Sequence, residues 1–234
     1  MEETKLGKYM VLFPNRREYH FLKREIWNQD SYYFESKKES PLIIDIGSHI
    51  GISVLYFKSI YPNSRILAFE PHPYSFEILN ENISINGLED IKTVNRAIST
   101  KEGNTTLYIN AGKDNWESNS SLIKGSWNEK ENTKPIPVQC TTLDTYTKDI
   151  SCIDMLKIDT EGTEIEILKS MKEEIFKIEN IAIEYHPKRD QKIKKLLDIL
   201  KLYFDMKIYY EGKELKNPIE GKLLSIKGKK RMKC

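Results

Sequence analysis

Short runs of aliphatic residues alternate along the middle of this chain with stretches whose apolar positions recur every three to four residues. That order builds parallel strands joined by crossover helices. The first run, Leu42-Ile43-Ile44, opens after Pro41 and closes at Asp45 and Gly47. A helix is predicted from about Ile52 to Tyr61, stopped by Pro62-Asn63, and a second strand, Ile66-Leu67-Ala68-Phe69, ends at Glu70-Pro71. From Tyr74 to Asn86, Phe76, Leu79 and Ile83 share one helical face, with Gly87 as the stop. Ile91-Lys92-Thr93-Val94 is the third strand.

The alternation then lapses. Residues 98–141 are rich in Asn, Ser, Gly and Lys, with strands expected only at Thr105 to Ile109 and Pro137 to Cys140. The long polar loop between them carries Trp116 and Trp127, and loops of that length in compact domains are usually functional or mobile. Regularity resumes with the strand Ile153 to Ile158. Thr163-Glu164-Ile165-Glu166 reads as a capping box that starts a helix through Met171. Ile181-Ala182-Ile183 is the fifth strand; Ile193, Leu196, Leu197, Leu200 and Phe204 then define a helical core face. Segments near Met206 to Tyr210 and Lys222 to Ile226 suit a closing antiparallel hairpin. Residues 1–40 are aromatic and charged without clean periodicity, and are expected to cap the carboxyl edge of the sheet. The expected organisation is that cap, a domain over 41–234, and a substrate-facing insertion at 98–141.

Composition narrows this little. With 234 residues, 39% apolar and 31% charged, the chain suits one globular domain. A net charge of +2 gives no reason to expect a nucleic-acid or membrane partner, and no apolar run is long enough for a membrane span. The basic cluster Lys227 to Lys233 reads as a solvated tail. The start lacks the order of a signal peptide, and three scattered cysteines lack metal-ligand spacing, so a cytoplasmic location is expected.

The candidate chemistry lies at the strand ends, where open α/β sheets bind ligands. Asp45, Glu70, Asn95, Asp159 and Glu184 occupy those ends. A dinucleotide site would carry G-x-G-x-x-G, but this first turn is Asp45-x-Gly47-x-x-x-Gly51. A carboxylate there repels a pyrophosphate and suits a ligand with ammonium and sulfonium charges. The two glycines remove Cβ atoms that would block the ligand and the helix–strand packing. Glu70 is placed to accept from ribose hydroxyls. Together the turn and Glu70 favour S-adenosylmethionine over NAD.

The sequence resembles the FkbM family of class I methyltransferases from roughly Pro41 to His186. The likeness rests on Ile43-Ile44-Asp45-Ile46-Gly47, Ala68-Phe69-Glu70-Pro71-His72-Pro73, Asn82 with Asn86-Gly87, and Arg96-Ala97-Ile98-Ser99. It rests most on Thr142-Leu143-Asp144, the string Asp154 to Glu164 with Lys157-Ile158-Asp159-Thr160-Glu161-Gly162-Thr163-Glu164, and Ile183-Glu184-Tyr185-His186. Ser48-His49 stands where the family often has Ala-Asn. The resemblance implies a Rossmann-like α/β/α sandwich whose seven-stranded, mostly parallel sheet ends in a reversed hairpin, and O-methylation as the usual reaction.

By that likeness Asp45, Gly47, Gly51 and Glu70 hold the cofactor, Ser48, His49 and Pro71 line its loop, and Asn95, Arg96 and Ala97 edge the adenine. Asp159 holds the methionyl ammonium, ligates a metal or acts as base. Glu161 is a catalytic candidate or a helix cap, and Lys157 an ion-pair partner. His186 is the expected base, and Asp159, Glu184 and His186 could together hold Mg²⁺. The expected acceptor is a hydroxyl on a sugar, glycan or natural product. An NAD-dependent oxidoreductase and a non-catalytic carbohydrate-binding module are the alternatives.

Overall fold

The structure, a computed structural model, describes residues 1–110, 120–124, 133–171, 173–188 and 191–231. The chain opens with an antiparallel hairpin, β1 (Glu2–Leu6) and β2 (Tyr9–Phe13). Tyr9, Val11 and Phe13 are buried while Met10 and Leu12 are half-buried, the period-two pattern of a strand covered on one face. Helix α1 (Arg16–Leu22) starts where the Asn15 side chain accepts from the N–H groups of Arg17 and Glu18, and runs into a π turn over Lys23–Asn28.

The alternating region follows as β3 (Leu42–Ile46), α2 (Ile52–Ile60), β4 (Arg65–Phe69), α3 (Pro73–Ile85) and β5 (Ile91–Val94). Next come β6 (Ala97–Ile98), β7 (Gly103–Asn110) and β8 (Thr133–Thr141), which form a separate sheet in the order β6-β8-β7. The chain returns through α4 (Asp144–Thr147), β9 (Met155–Ile158), α5 (Glu164–Ser170), β10 (Asn180–Tyr185) and α6 (Ile193–Leu200). It closes with β11 (Phe204–Tyr210), β12 (Lys213–Leu215) and β13 (Leu224–Lys230).

The main sheet runs β5-β4-β3-β9-β10-β13-β11-β12. Strands β5 to β10 are parallel, and β13 enters antiparallel between β10 and β11. This is the expected Rossmann-like architecture with eight strands rather than seven. The added β12 is a two-residue hairpin partner of β11. Glu211 and Gly212, at φ 49° and 77°, make a tight turn whose twist matches its strands. Strand order reverses between β3 and β9, so the crevice for a ligand opens at their carboxyl ends.

Two expectations for the chain ends change. Lys227 to Lys230 are not a solvated tail but the second half of β13. Gly228 makes the insertion possible, because a Cβ there would lie 2.8 Å from Ile181 and 3.0 Å from Phe204. The N-terminal hairpin forms an outer layer beside α2 and α3 instead of sitting over the carboxyl edge; its Val11 and Phe13, with Tyr19 of α1, join Leu55, Phe57 and Leu79 in one core. Asn82, fully buried on α3, clamps it by accepting from Leu12 N–H at 2.7 Å and donating to the carbonyls of Leu12 and Ile50. Asn86 repeats the clamp on Met10. Only the following segment, through Leu22, Glu25 and Tyr32, turns toward the strand ends. Among the described residues no helix is long and apolar enough to cross a membrane.

Candidate active site

Asp45 and Lys157 are direct register partners on β3 and β9, and both are buried. Their charged atoms lie 3.1 Å apart, and Lys157 also donates to the Gly47 carbonyl. Burial would lower the Lys157 pKa, but Asp45 and Asp159 outweigh it and hold the ammonium charged. The expected ion pair is therefore present. Asp45 also accepts from Ser53 Oγ at 2.5 Å and lies beneath the crevice, not on its wall. It braces the first turn from below.

That turn is shaped by backbone. Gly47 has φ 82°, and a Cβ on it would stand 1.8 Å from the Asp159 carbonyl oxygen, so the glycine lets two strand ends touch. Gly51, at φ 91°, makes room for Leu79 of α3. Ser48 is buried, its hydroxyl returned to the Asp45 carbonyl. His49 turns into the crevice at φ 49°; burial lowers its pKa, and neither ring nitrogen has a hydrogen-bond partner within the described protein. Its Nε2 lies 3.6 Å from Glu18 on α1.

A crevice opens at these strand ends. Its floor is Gly47, Glu70 and Asp159; Ile46, Phe69, Ile98, Leu107 and Leu122 form apolar walls. His49, Pro71, Arg96 and Ala97 edge it as expected. Asn95 does not, since its amide donates to the Glu70 and Pro71 carbonyls and ties two strand ends together. Each Glu70 oxygen accepts one backbone N–H at 2.8 Å, from His72 and from His49, which leaves further lone pairs. Burial nevertheless pushes this carboxyl up to about 7.

Beside that pocket the string after β9 folds back on itself. Glu161 takes φ 56° and Gly162 φ 110°, turning the chain so that Asp159 and Glu161 face one way. Glu164 accepts from Gly162 N–H at 2.8 Å and meets His186 Nδ1 at 3.0 Å. The opposite ring atom, His186 Nε2, faces Glu161 at 3.0 Å, Glu184 at 3.6 Å and Asp159 at 4.0 Å. Burial pulls the His186 pKa down, but Glu164 and the other carboxylates reverse this and raise it overall. Burial, then Asp159, holds Glu184 well above the carboxylate range. Tyr32 donates toward Asp159 at 3.3 Å and Glu184 at 3.4 Å. The capping box expected at Thr163 is absent, since its hydroxyl makes no hydrogen bond and Glu164 bonds the loop preceding it.

The sequence profile of the Methyltransferase FkbM domain matches residues 45–207, more than half of the chain. The chain belongs to the FkbM methyltransferase family. It is similar to Methyltransferase sdnD of Sordaria araneosa, 28% identical over 79% of this chain and 80% of that one. The 2-O-methyltransferase NoeI of Sinorhizobium fredii is 26% identical over 64% of this chain and 65% of its own. Hexuronic acid methyltransferase AglP of Haloferax volcanii is 26% identical over 72% of this chain and 66% of its own. The fold matches the crystal structure of Methyltransferase FkbM from Methylobacillus flagellatus KT with a TM-score of 0.57 at 16% identity; 86% of this chain covers 47% of that structure.

This FkbM-family chain is thus an S-adenosylmethionine-dependent methyltransferase, and the dehydrogenase alternative falls. The crevice fits that cofactor on its own evidence: a glycine cradle, a buried carboxylate with spare acceptors, apolar walls and an acidic mouth. Glu18, Glu25 and Glu164 were not among the expected site residues, and Tyr32 could be read only as a sugar-stacking or anchoring aromatic. Glu18, Glu25 and Tyr32 sit in the N-terminal segment that lacked clear periodicity, and Glu164 had been assigned to a cap. Trp116 and Trp127 lie outside the described residues.

Proposed function

We propose that the chain methylates a hydroxyl group of a sugar, glycan or natural product, with His186 as the base. The observation that carries this is the buried His186 ring, fixed through Nδ1 by Glu164 at 3.0 Å while Nε2 faces Glu161, a residue that lines the cofactor crevice. When bound, S-adenosylmethionine supplies an electrophilic methyl group on a sulfonium. Glu70 would hold the ribose, the Phe69, Ile98 and Leu107 walls the adenine, and Asp159 the ammonium. With the cofactor in place, His186 Nε2 would take the proton of the acceptor hydroxyl as that oxygen is methylated. The surrounding carboxylates stabilise the imidazolium that results. Two relatives support this reading: the 2-O-methyltransferase NoeI by its reaction on oxygen, and the hexuronic acid methyltransferase AglP by its sugar acceptor.

Asp159, Glu184 and His186 place one donor atom each within 4.8 Å of one another, a set that Mg²⁺ could take. Lys157 already neutralises Asp159 from 3.5 Å, which favours a metal-free reaction. Activity that survives EDTA supports this, and activity restored only by Mg²⁺ overturns it.

The deciding experiment pairs calorimetry with turnover. His186→Ala is expected to keep its affinity for S-adenosylhomocysteine and lose transfer to hydroxyl acceptors. In the unaltered protein, turnover should rise with pH through a limb above 6.5, because the base must be deprotonated and its pKa is raised. Full activity in His186→Ala removes it from the role.

A further inference from the structure

A second cavity, wider than the cofactor crevice, lies over the reversed strands β11 and β13. The strand register sets its distance from the chemistry. Glu184 on β10 pairs with Ser225 on β13, which pairs with Tyr209 on β11. Direct cross-strand partners project to the same face, so one row of side chains leads from the active-site carboxylate to two cavity-lining residues. The next row on that face is Ala182, Lys227 and Lys207, and Lys227 also lines the cavity. The π turn closes the other side with Arg24 and Glu25. Glu25 lies close enough to Asp159 and His186 to feel their charges, and Ser225 pairs directly with Glu184, so this side of the cavity is the one nearest the active-site carboxylates.

The chemistry of the lining is uneven. Lys227 is half-buried, donates to the Asp30 carbonyl and lies 5.4 Å from the Tyr209 ring centroid. Lys222 stands 6.0 Å from the Tyr210 ring. Arg24 adds a guanidinium, the side chain best matched to a planar anion. Aromatic faces next to cations form a surface for a ring with apolar C–H faces and an anionic substituent. Resting on the methyltransferase reading above, we infer that this cavity is the acceptor site and that it takes an acidic sugar, a glycosyl unit bearing a carboxylate. The anionic group pairs with the cations of the lining, Arg24, Lys222 and Lys227, which outnumber its acids Glu25 and Glu211. The hydroxyl to be methylated points inward past Glu25 toward His186. Burial, followed by the charge of Asp159, pushes Glu25 up to about 7, which reduces its repulsion of such a ligand near neutral pH.

The test compares a glucuronic-acid-terminated oligosaccharide with its glucose-terminated counterpart, each titrated by ligand-observed NMR into the whole protein saturated with S-adenosylhomocysteine. Binding of the acidic sugar at least tenfold tighter than the neutral one is expected. Arg24→Gln and Lys227→Gln should each bring the two affinities together while leaving S-adenosylhomocysteine affinity unchanged. Equal binding of both sugars by the unaltered protein overturns the inference, as does a preference that survives both substitutions. Failure of S-adenosylhomocysteine to bind at all would instead count against the cofactor reading.

Discussion

A methyl group at Gly47 would sit 1.8 Å from the Asp159 carbonyl oxygen, and the backbone there has φ 82°. Gly47→Ala is therefore expected to cost about 3 kcal/mol of stability. It should also weaken S-adenosylhomocysteine binding, because the β3 and β9 ends must part; a melting curve within a degree of the unaltered protein would refute this. Glu70 makes a second prediction. Its carboxyl is raised from 4.5 to about 7 by burial, so in the free protein its contribution to stability is fully present below 4.5 and is lost as pH rises through about 7. A ribose hydroxyl donating to this carboxylate favours the ionised form. Affinity for S-adenosylhomocysteine should then increase as pH rises through about 7, and that dependence should be reduced in Glu70→Gln. Gly47 and Glu70 were legible because each is explained by its place at a strand end. The ion pair of Asp45 was not, because Lys157 is brought opposite it only by strand register.

At the scale of elements, the hairpin β1–β2 depends on two asparagines of α3. Asn82→Ala would strip a partner from Leu12 N–H and from the carbonyls of Leu12 and Ile50, a loss of about 3 kcal/mol. Amide exchange at Leu12 should accelerate while β9 and β10 stay protected; equal acceleration in β9 would mean the hairpin does not open separately. Asn82 and Asn86 could be picked out in the sequence, but their purpose could not, because the backbone they bind lies 70 and 76 residues away. The alternation of Tyr9, Val11 and Phe13 was visible but lay among charged and aromatic neighbours that obscured it. The Glu211-Gly212 turn is a two-residue signal easily lost beside a basic stretch. In each case the local pattern existed, and long-range pairing decided what it became.

For the whole molecule, the hairpin, α2, α3 and one face of the sheet share a continuous core, while the other face packs against α5 and α6. Strands β3, β4, β9 and β10 contribute residues to both, so heat is expected to unfold the chain in a single transition. S-adenosylhomocysteine at a hundred times its dissociation constant adds about 2.7 kcal/mol. For a chain of this size that raises the melting temperature by roughly 5–10 °C. A scan showing two transitions, only one of them shifted, would contradict this. The overall order of strands followed from the family resemblance; the route of the N-terminal segment did not, because it lies outside the residues that carried the likeness. Two loops from distant parts of this architecture meet at the cofactor crevice, and each presents a bulky side chain from the left-handed region, His49 at φ 49° and Glu161 at φ 56°. Each conformation costs on the order of 1 kcal/mol, which a glycine would recover. Selection for heat resistance alone would therefore drift toward glycine at 49 and 161, erasing the crevice's own side chains: in this enzyme durability and activity pull on the same two positions in opposite directions.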